Sequence, residues 1–278
     1  MNPEFSNLFG KKKTYNWIIK LFKITDNKNA VKFDMENCIL SVIDSITKCS
    51  NLKATDFDIN YKDSRKTLNG FKKALKKQKE IVYSFVSFDS NNTNTYFAIS
   101  NPMLNWTEKP ENSAIDICFQ ISSEYLEKKL IEEITDNLIK ENDFEYGYIT
   151  KLPSNYDAFT ENKTKKGLFS KSTEINVINH TWTFHTVGIL DGYIKSIYPI
   201  NYLNNSHLSD LETAKLISLY GVSKNISDSI TKWTLSSEEV NRLKNNEQIL
   251  NISIITTDLE FLKTEKAKLF NSKMELKK

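Results

Sequence analysis

The amino-acid sequence predicts an α+β fold in which mainly antiparallel sheet is flanked by amphipathic helices. Apolar and polar residues alternate over residues 114–121, which is the period of a half-buried strand. Residues 35–46 instead place their apolar side chains at helical spacing. Two apolar runs, residues 81–88 and 96–99, are joined by the polar segment D-S-N-N-T-N, which is typical of a β-hairpin.

The first half of the chain begins with a predicted strand and a capped helix. Residues 15–24 are apolar and β-branched, which predicts the first strand. Asp34 can cap a helix that runs through Cys49. The basic stretch at residues 66–80 has a narrow apolar side and no Trp, so it favours a solvated helix over the core rather than a helix that binds an anionic partner or a membrane surface.

The second half of the chain is predicted to contain further helices and strands. The serines at residues 122–123 can cap a helix whose first turn is acidic. A later helix is predicted over residues 208–220, with a stop at Gly221. The remaining predicted elements are strands at residues 144–149, 177–187, 230–235 and 249–255, a short helix capped by Ser236 or Ser237, and a last helix at residues 258–270.

One domain is predicted for nearly the whole chain. Residues 1–14 form a flexible polar lead-in, residues 15–272 a single α+β domain, and residues 273–278 a basic tail. The 278 residues are enough for one large core. No internal repeat and no linker rich in Gly, Ser or Pro divides the chain.

The charge balance argues against nucleic acid as a partner. The net charge is +3, and Arg65 and Arg242 are the two arginines, the residue type that base and phosphate recognition uses most. The three cysteines, Cys38, Cys49 and Cys118, are an odd number and predict free thiols in a reducing compartment. No signal-peptide pattern and no run of 18 apolar residues occurs, so the sequence predicts a cytoplasmic protein without a membrane span.

No catalytic or metal-binding constellation is evident in the sequence. His180 and His185 lie five residues apart in a predicted strand, which places them on opposite faces. His207 follows a serine directly, and adjacency in sequence does not make a catalytic pair. The glutamate pairs at residues 132–133 and 238–239 lie on predicted amphipathic helices, where charge usually marks the solvated face. The residues therefore indicate no metal site and no cofactor.

Three passages of the sequence resemble segments of a known family. They are the strand and helix start A-I-D-I-C-F-Q-I-S-S-E-Y-L-E from Ala114, the strand F-E-Y-G-Y at residues 144–148, and the run from His185 to Leu211 that contains D-G-Y-I-K-S-I-Y-P-I-N-Y-L. Over residues 80–260, roughly, the chain is similar to the immunity proteins of type VI secretion, close to those paired with nuclease toxins of the restriction-endonuclease-like kind.

The resemblance implies a cytoplasmic antidote that has no enzyme activity. Such a protein binds a cognate toxin encoded nearby and blocks it, here by occluding the toxin's active site. The matched run then supplies scaffold residues, namely His185, Gly192, Ile194, Lys195, Asn201 and Leu203. The chain departs from the family pattern at Tyr198-Pro199, where a Trp or another apolar residue is more usual, and in a Lys- and Asn-rich stretch at residues 155–171. These departures leave the toxin's identity open.

The expected toxin-binding residues are Tyr156, Asp157 and Glu161. They lie on a predicted polar excursion, and acidic groups would speed association with a basic nuclease cleft. Replacing all three with Ala is expected to weaken toxin binding without unfolding the protein. The alternative is a small-molecule or nucleotide enzyme assembled around His185 and Tyr193, which requires a deep pocket with converging titratable groups. A homodimer also stays open, since the sequence is rich in aromatic residues.

Overall fold

The structure, a computed structural model, confirms the α+β class. It describes residues 14–25, 27–89, 95–101, 104, 113–156, 160–166, 171–177, 189, 192, 194 and 196–245. Within these residues a ten-stranded antiparallel sheet carries helices on both of its faces, and two further strands form a separate hairpin. The predicted lead-in and basic tail lie almost entirely outside the described residues, so the predicted domain boundaries stay predictions.

The main sheet is organised around a central first strand. The strands are β1 (Tyr15–Thr25), β2 (Lys53–Ile59), β3 (Asp63–Arg65), β4 (Tyr83–Asp89), β5 (Tyr96–Ser100), β6 (Ser113–Ser122), β7 (Tyr146–Pro153), β8 (Thr160–Lys166), β9 (Lys171–Val177), β10 (Ile200–Asn204), β11 (Val222–Asn225) and β12 (Ile230–Thr234). The sheet order is β11–β12–β10–β7–β1–β6–β5–β4–β2–β3, and β8 pairs with β9. β1 lies between β6 and β7, and its residues from Asn16 to Phe22 are all buried, including Lys20.

The helices cover the two faces of the sheet unequally. They are α1 (Asn27–Lys32), α2 (Met35–Cys49), α3 (Leu68–Leu75), α4 (Lys128–Asn142), α5 (Asn205–Ser209), α6 (Leu211–Leu219) and α7 (Ser237–Lys244). The apolar sides of α2, α3 and α4 pack on the first face, against alternate residues of β1, β2 and β4–β6. Helices α6 and α7 pack on the second face near β7, β10 and β12. The main core therefore lies on the first face.

Several predicted elements are confirmed. Asp34 caps α2 by accepting a hydrogen bond from the Asn37 backbone N–H at 2.9 Å. The predicted hairpin is the antiparallel pair β4–β5. Ser236 caps α7, with a reciprocal hydrogen bond from its own backbone N–H to Glu239. The basic stretch forms α3, and its apolar side is buried in the core as expected for a solvated helix that covers it.

The prediction that β6 is half-buried was wrong. Its first-face residues are buried in the core, but Cys118 and Gln120 on the second face are buried as well. Alternation reports the polarity of the two sides of a strand, and it does not report what other elements cover the polar side. All three cysteines are free, and burial raises the pKa of the Cys38 thiol to about 12, which makes it inert near neutral pH.

Two predicted helix boundaries were wrong. The helix predicted at residues 208–220 is broken at Asp210, whose backbone leaves the helical region and whose side chain accepts from the Thr213 N–H at 2.8 Å. A new N-cap therefore ends α5 and starts α6. Helix α4 begins at Lys128 rather than after the serines at 122–123, because Ser122 is the last residue of β6 and a turn follows it. Strands β2, β3, β8, β9, β10 and β11 were not predicted.

Three predicted elements in the second half of the chain lie wholly or almost wholly outside the described residues. The strand at residues 249–255 and the helix at residues 258–270 lie outside the described residues, as does the predicted strand at residues 177–187 beyond Val177. They stay predictions. The polar excursion contains the separate hairpin β8–β9, which has no partner among the described strands of the main sheet.

Buried tyrosines are expected to make the fold sensitive to alkali. Tyr148 and Tyr198 stack with ring centroids 3.8 Å apart, and burial raises the pKa of Tyr198 to about 12 and that of Tyr148 well above its usual value. Because the folded state holds these protons more tightly than the unfolded state does, the stabilisation is present below a pH of about 10 and is lost as the pH rises past it.

Urea denaturation at a series of pH values measures this loss. The free energy of unfolding is expected to be flat up to about pH 9 and to fall between about pH 10 and pH 12. Tyr148→Phe removes one of the titrating hydroxyls and should make the decline shallower. A decline of the same steepness in that variant would mean that other groups control alkaline unfolding.

Candidate partner-binding surface

One end of the main sheet carries an open cleft. The strand register places the end of β1, the starts of β4, β7 and β12, and the ends of β2, β5 and β10 at this end. Helix α1, the start of α2 and the end of α4 lie there as well. We call it the cleft end, because a cleft of about 740 Å³ opens on it.

The cleft is polar and carries an excess of negative charge. Its charged lining consists of two lysines and four carboxylates, a net charge of −2, from Lys23, Lys32, Asp34, Glu141, Asp143 and Glu145. Asparagine and serine side chains supply most of the remaining lining, while Ile24, Phe33 and Ile230 are apolar. Since the whole chain has a net charge of +3, this acidic cleft is a local departure from the overall charge.

The connection between α4 and β7 forms the acidic rim of the cleft. Asp143 ends α4 with a left-handed backbone, φ 53°, and 88% of its side chain is exposed. Lys23 Nζ donates to the carbonyl oxygens of Asn142 and Asp143 at 3.1 and 3.2 Å and lies 3.8 Å from the Asp143 carboxylate. These contacts fix the backbone, so the carboxylate projects into solvent from a held position.

Glu145 is the more buried carboxylate of the acidic rim, whereas Glu141 and Asp143 are exposed. Its Oε2 accepts a hydrogen bond from the Ile24 backbone N–H at 2.6 Å. Burial raises the pKa of Glu145, whereas that hydrogen bond and the charge of Lys23 act in the opposite direction. A cation entering the cleft would favour the ionised form, so this carboxylate is suited to receive one.

The opposite wall of the cleft is built by a helix cap. Asn204 precedes α5 and accepts from the Ser206 N–H at 2.9 Å, while His207 Nδ1 lies 3.2 Å from the Asn204 backbone N and accepts its hydrogen bond. His207 is fully buried and stacks on Tyr146 with centroids 5.5 Å apart. The structure therefore gives His207 a capping and packing role.

The geometry of the cleft fits the binding of a cationic group. Its carboxylates are held by backbone donors or stand on the rim, where they can pair with a lysine or arginine side chain. No group of three His, Cys, Asp or Glu side chains within the described ranges is arranged to hold a metal ion. No helix in those ranges is long and apolar enough to cross a membrane.

The described predicted site residue, Tyr156, does not lie at the cleft end. Tyr156 follows β7 at the opposite end of the sheet, where Pro153 pairs with Tyr15, and its N–H donates to the Pro153 carbonyl at 2.9 Å. Asp157 and the side chain of Glu161 lie outside the described residues, so their predicted role stays a prediction. The same holds for His180, His185 and Tyr193 and for the enzyme site predicted around the last two.

Sequence reasoning missed the acidic cleft, although one signal was present. Three carboxylates occur within the five residues E-N-D-F-E at 141–145, directly after the apolar period of α4 ends. Such a cluster at a helix end is unusual, because cations suit the C-terminal end of the helix dipole better. The other side of the cleft comes from residues 204–206, which are more than 50 residues further along the chain, and no local pattern connects them.

Comparison with known proteins gives a distant structural likeness and no family. No family model matches the chain, and no curated protein is significantly similar to it. A T6SS protein of Pseudomonas aeruginosa, PA0821, is similar with a TM-score of 0.49 at 10% sequence identity, over 80% of this chain and 66% of that one. A likeness at this level carries no argument about the role of the chain.

Proposed function

We propose that the chain is an immunity protein, which binds a cognate antibacterial toxin of type VI secretion in the cytoplasm and neutralises it without chemistry of its own. The family resemblance of residues 80–260, roughly, motivates this proposal. The observation that carries it is the acidic cleft, a net charge of −2 in an open concavity of a chain that is otherwise slightly basic. Such a surface fits a partner with a basic active site, as a nuclease has.

The acidic cleft would act at two stages of binding. At a distance, its negative potential would steer a basic toxin toward the correct face and raise the association rate. In contact, Glu145 and Asp143 would pair with lysine or arginine side chains that the toxin otherwise uses on phosphate. Covering those side chains occludes the toxin's active site.

Co-expression with the product of the adjacent gene tests the proposed function. We expect the two proteins to elute as one complex, and growth that the neighbour alone arrests to be restored by this chain. A neighbour that does not bind the chain, and whose toxicity the chain does not relieve, would remove the basis for an immunity role.

Neutralising the acidic rim is expected to slow association with the toxin. The variant Glu141→Gln/Asp143→Asn/Glu145→Gln removes three charges and keeps the acceptor oxygens for Ser41 and Ile24. Asn also tolerates the left-handed backbone at residue 143. Association measured by biolayer interferometry should be about tenfold slower at about 50 mM salt, and the difference should shrink at about 500 mM salt.

A matched control separates local charge from total charge. Glu124→Gln/Glu212→Gln/Glu238→Gln removes the same number of charges from exposed positions that do not line the cleft. Its association rate should stay within about twofold of the unmodified protein, since surface charges distant from the contact contribute little to the encounter. Equal slowing by both variants would mean that total charge, rather than the acidic cleft, controls the encounter.

A further inference from the structure

The turn between β2 and β3 presents an exposed aromatic side chain on a strained backbone. Asn60 and Tyr61 both have positive φ, 55° and 59°. Two consecutive residues of this kind are typical of a type I′ hairpin turn, in which Asn-Gly is the favoured pair. Asn adopts this region readily, but a bulky aromatic residue rarely does. Tyr61 is nevertheless 71% exposed, so core packing does not account for its presence.

Hydrogen bonds from two polar side chains hold this turn in place. Asn60 Oδ1 accepts from the backbone N–H groups of Val82 and Tyr83 at 2.8 and 3.1 Å, and its Nδ2 donates to the Glu80 carbonyl at 2.9 Å. Asp58 Oδ1 accepts from the Tyr61 N–H at 2.9 Å. The backbone of residue 61 is therefore fixed before any partner arrives.

The Tyr61 ring itself is fixed by stacking. It lies parallel to the ring of Tyr83, with centroids 4.0 Å apart and an interplanar angle of 9°. One face of the Tyr61 ring is thus covered, and most of the rest of the side chain is exposed to solvent. An aromatic side chain that is exposed yet immobilised loses little conformational entropy on binding, which is typical of an interface anchor.

The surroundings of the ring favour a cation on its open face. The Asp58 carboxylate accepts the Tyr61 backbone N–H and so holds a negative charge beside the ring, while Asp116 is paired with Lys20. Partial burial raises the pKa of Tyr61, and these two carboxylates act in the same direction. The face of an aromatic ring attracts a guanidinium by cation–π interaction, and planar stacking suits arginine better than lysine. These features point to an arginine side chain as the occupant.

The Tyr61 turn lies at the same end of the main sheet as the acidic cleft. Phe33 and Asp34 line the cleft and also a neighbouring pocket of about 200 Å³. That pocket extends to Gln78 and Glu80, next to the Asn60 side chain. A partner seated on the cleft end could therefore contact both features within one interface.

We infer that Tyr61 is an anchor residue of this surface and that an arginine side chain of the toxin stacks on its open face. The inference rests on the proposed immunity function and assigns the chemistry of one contact within it. The strained turn then has a functional reason, because it holds the ring at the edge of the cleft end.

Three substitutions at residue 61 test the inference, with the purified product of the adjacent gene as the probe in calorimetric titration. Tyr61→Gly is expected to weaken binding at least about tenfold. Its melting temperature should stay within about 3 °C of the unmodified protein, because glycine suits the left-handed turn and offsets the lost stacking. Tyr61→Phe keeps the ring and should bind within about threefold of the unmodified protein. Tyr61→Leu keeps bulk and backbone strain but has no π-face, so it should bind as weakly as the glycine variant.

The possible outcomes separate the inference from the proposed function. A complex that forms equally well with all three variants would overturn the anchor role and leave the immunity function in place. Full binding by Tyr61→Leu alone would overturn the stacked arginine, since an aliphatic side chain would then suffice. Failure of the unmodified protein to bind the neighbour would overturn the proposed function, and the inference with it.

Discussion

Gly147→Ala is expected to lower the free energy of unfolding by about 3 kcal/mol, at the upper end of the cost of overpacking a core. Gly147 lies on β7, opposite Leu21 of β1 and Tyr202 of β10. A Cβ there would overlap the Leu21 side chain and lie 2.7 Å from the Lys20 carbonyl oxygen. The side chain could rotate away, but the carbonyl belongs to the central strand and cannot move without disturbing the ladder. Chemical denaturation measures the change.

Gly70→Ala is the matched control for this prediction. Gly70 lies within α3, where the added methyl would approach the Thr67 hydroxyl at 3.0 Å and the Arg65 side chain at 3.6 Å. Alanine is favoured over glycine in a helix by about 0.5–1 kcal/mol, so the net change should be small or stabilising. If both variants lost the same stability, the close approach at residue 147 would not be the cause.

Asp136→Ala is expected to destabilise the fold by about 3 kcal/mol, the cost of breaking a buried ion pair by removing one partner. Asp136 on α4 accepts from Tyr202 Oη at 2.7 Å and from Lys232 Nζ at 2.7 Å. The Tyr202 side chain is fully buried, and Lys232 is nearly so. Without the carboxylate, the hydroxyl loses its acceptor and Lys232 keeps only Glu132, at 3.2 Å. Together these groups attach α4 to β10 and β12.

A double-mutant cycle shows whether the three groups act as a unit. Tyr202→Phe removes only the hydroxyl and should cost about 1 kcal/mol, since the ion pair remains. Combined with Asp136→Ala, it should add almost nothing, because the orphaned hydroxyl is then absent. Additive losses, or an Asp136→Ala variant no less stable than Tyr202→Phe, would contradict a coupled network at this contact.

The acidic cleft and the Tyr61 turn show different limits of sequence reasoning. Residues 141–145 carry a visible local signal, a cluster of carboxylates where the helix dipole disfavours them. Asn60-Tyr61 carries a weaker one, since Asn begins a type I′ turn but the expected glycine is absent. Neither signal indicates that the two segments lie at the same end of the sheet. The predicted toxin-binding residue Tyr156 is at the other end because β7 runs the length of the sheet between it and Glu145.

Local sequence patterns were sufficient to predict the class of the fold and several of its elements. The alternation in β6, the cap at Asp34 and the hairpin β4–β5 each depend on residues close together in the chain, where spacing and side-chain chemistry decide the backbone. The tertiary structure alone decided which strands neighbour one another, which face of β6 is covered, and where charge accumulates. Those features join segments that are distant in the chain, such as Lys23 with Asn204, and only the packing of the whole sheet brings them together.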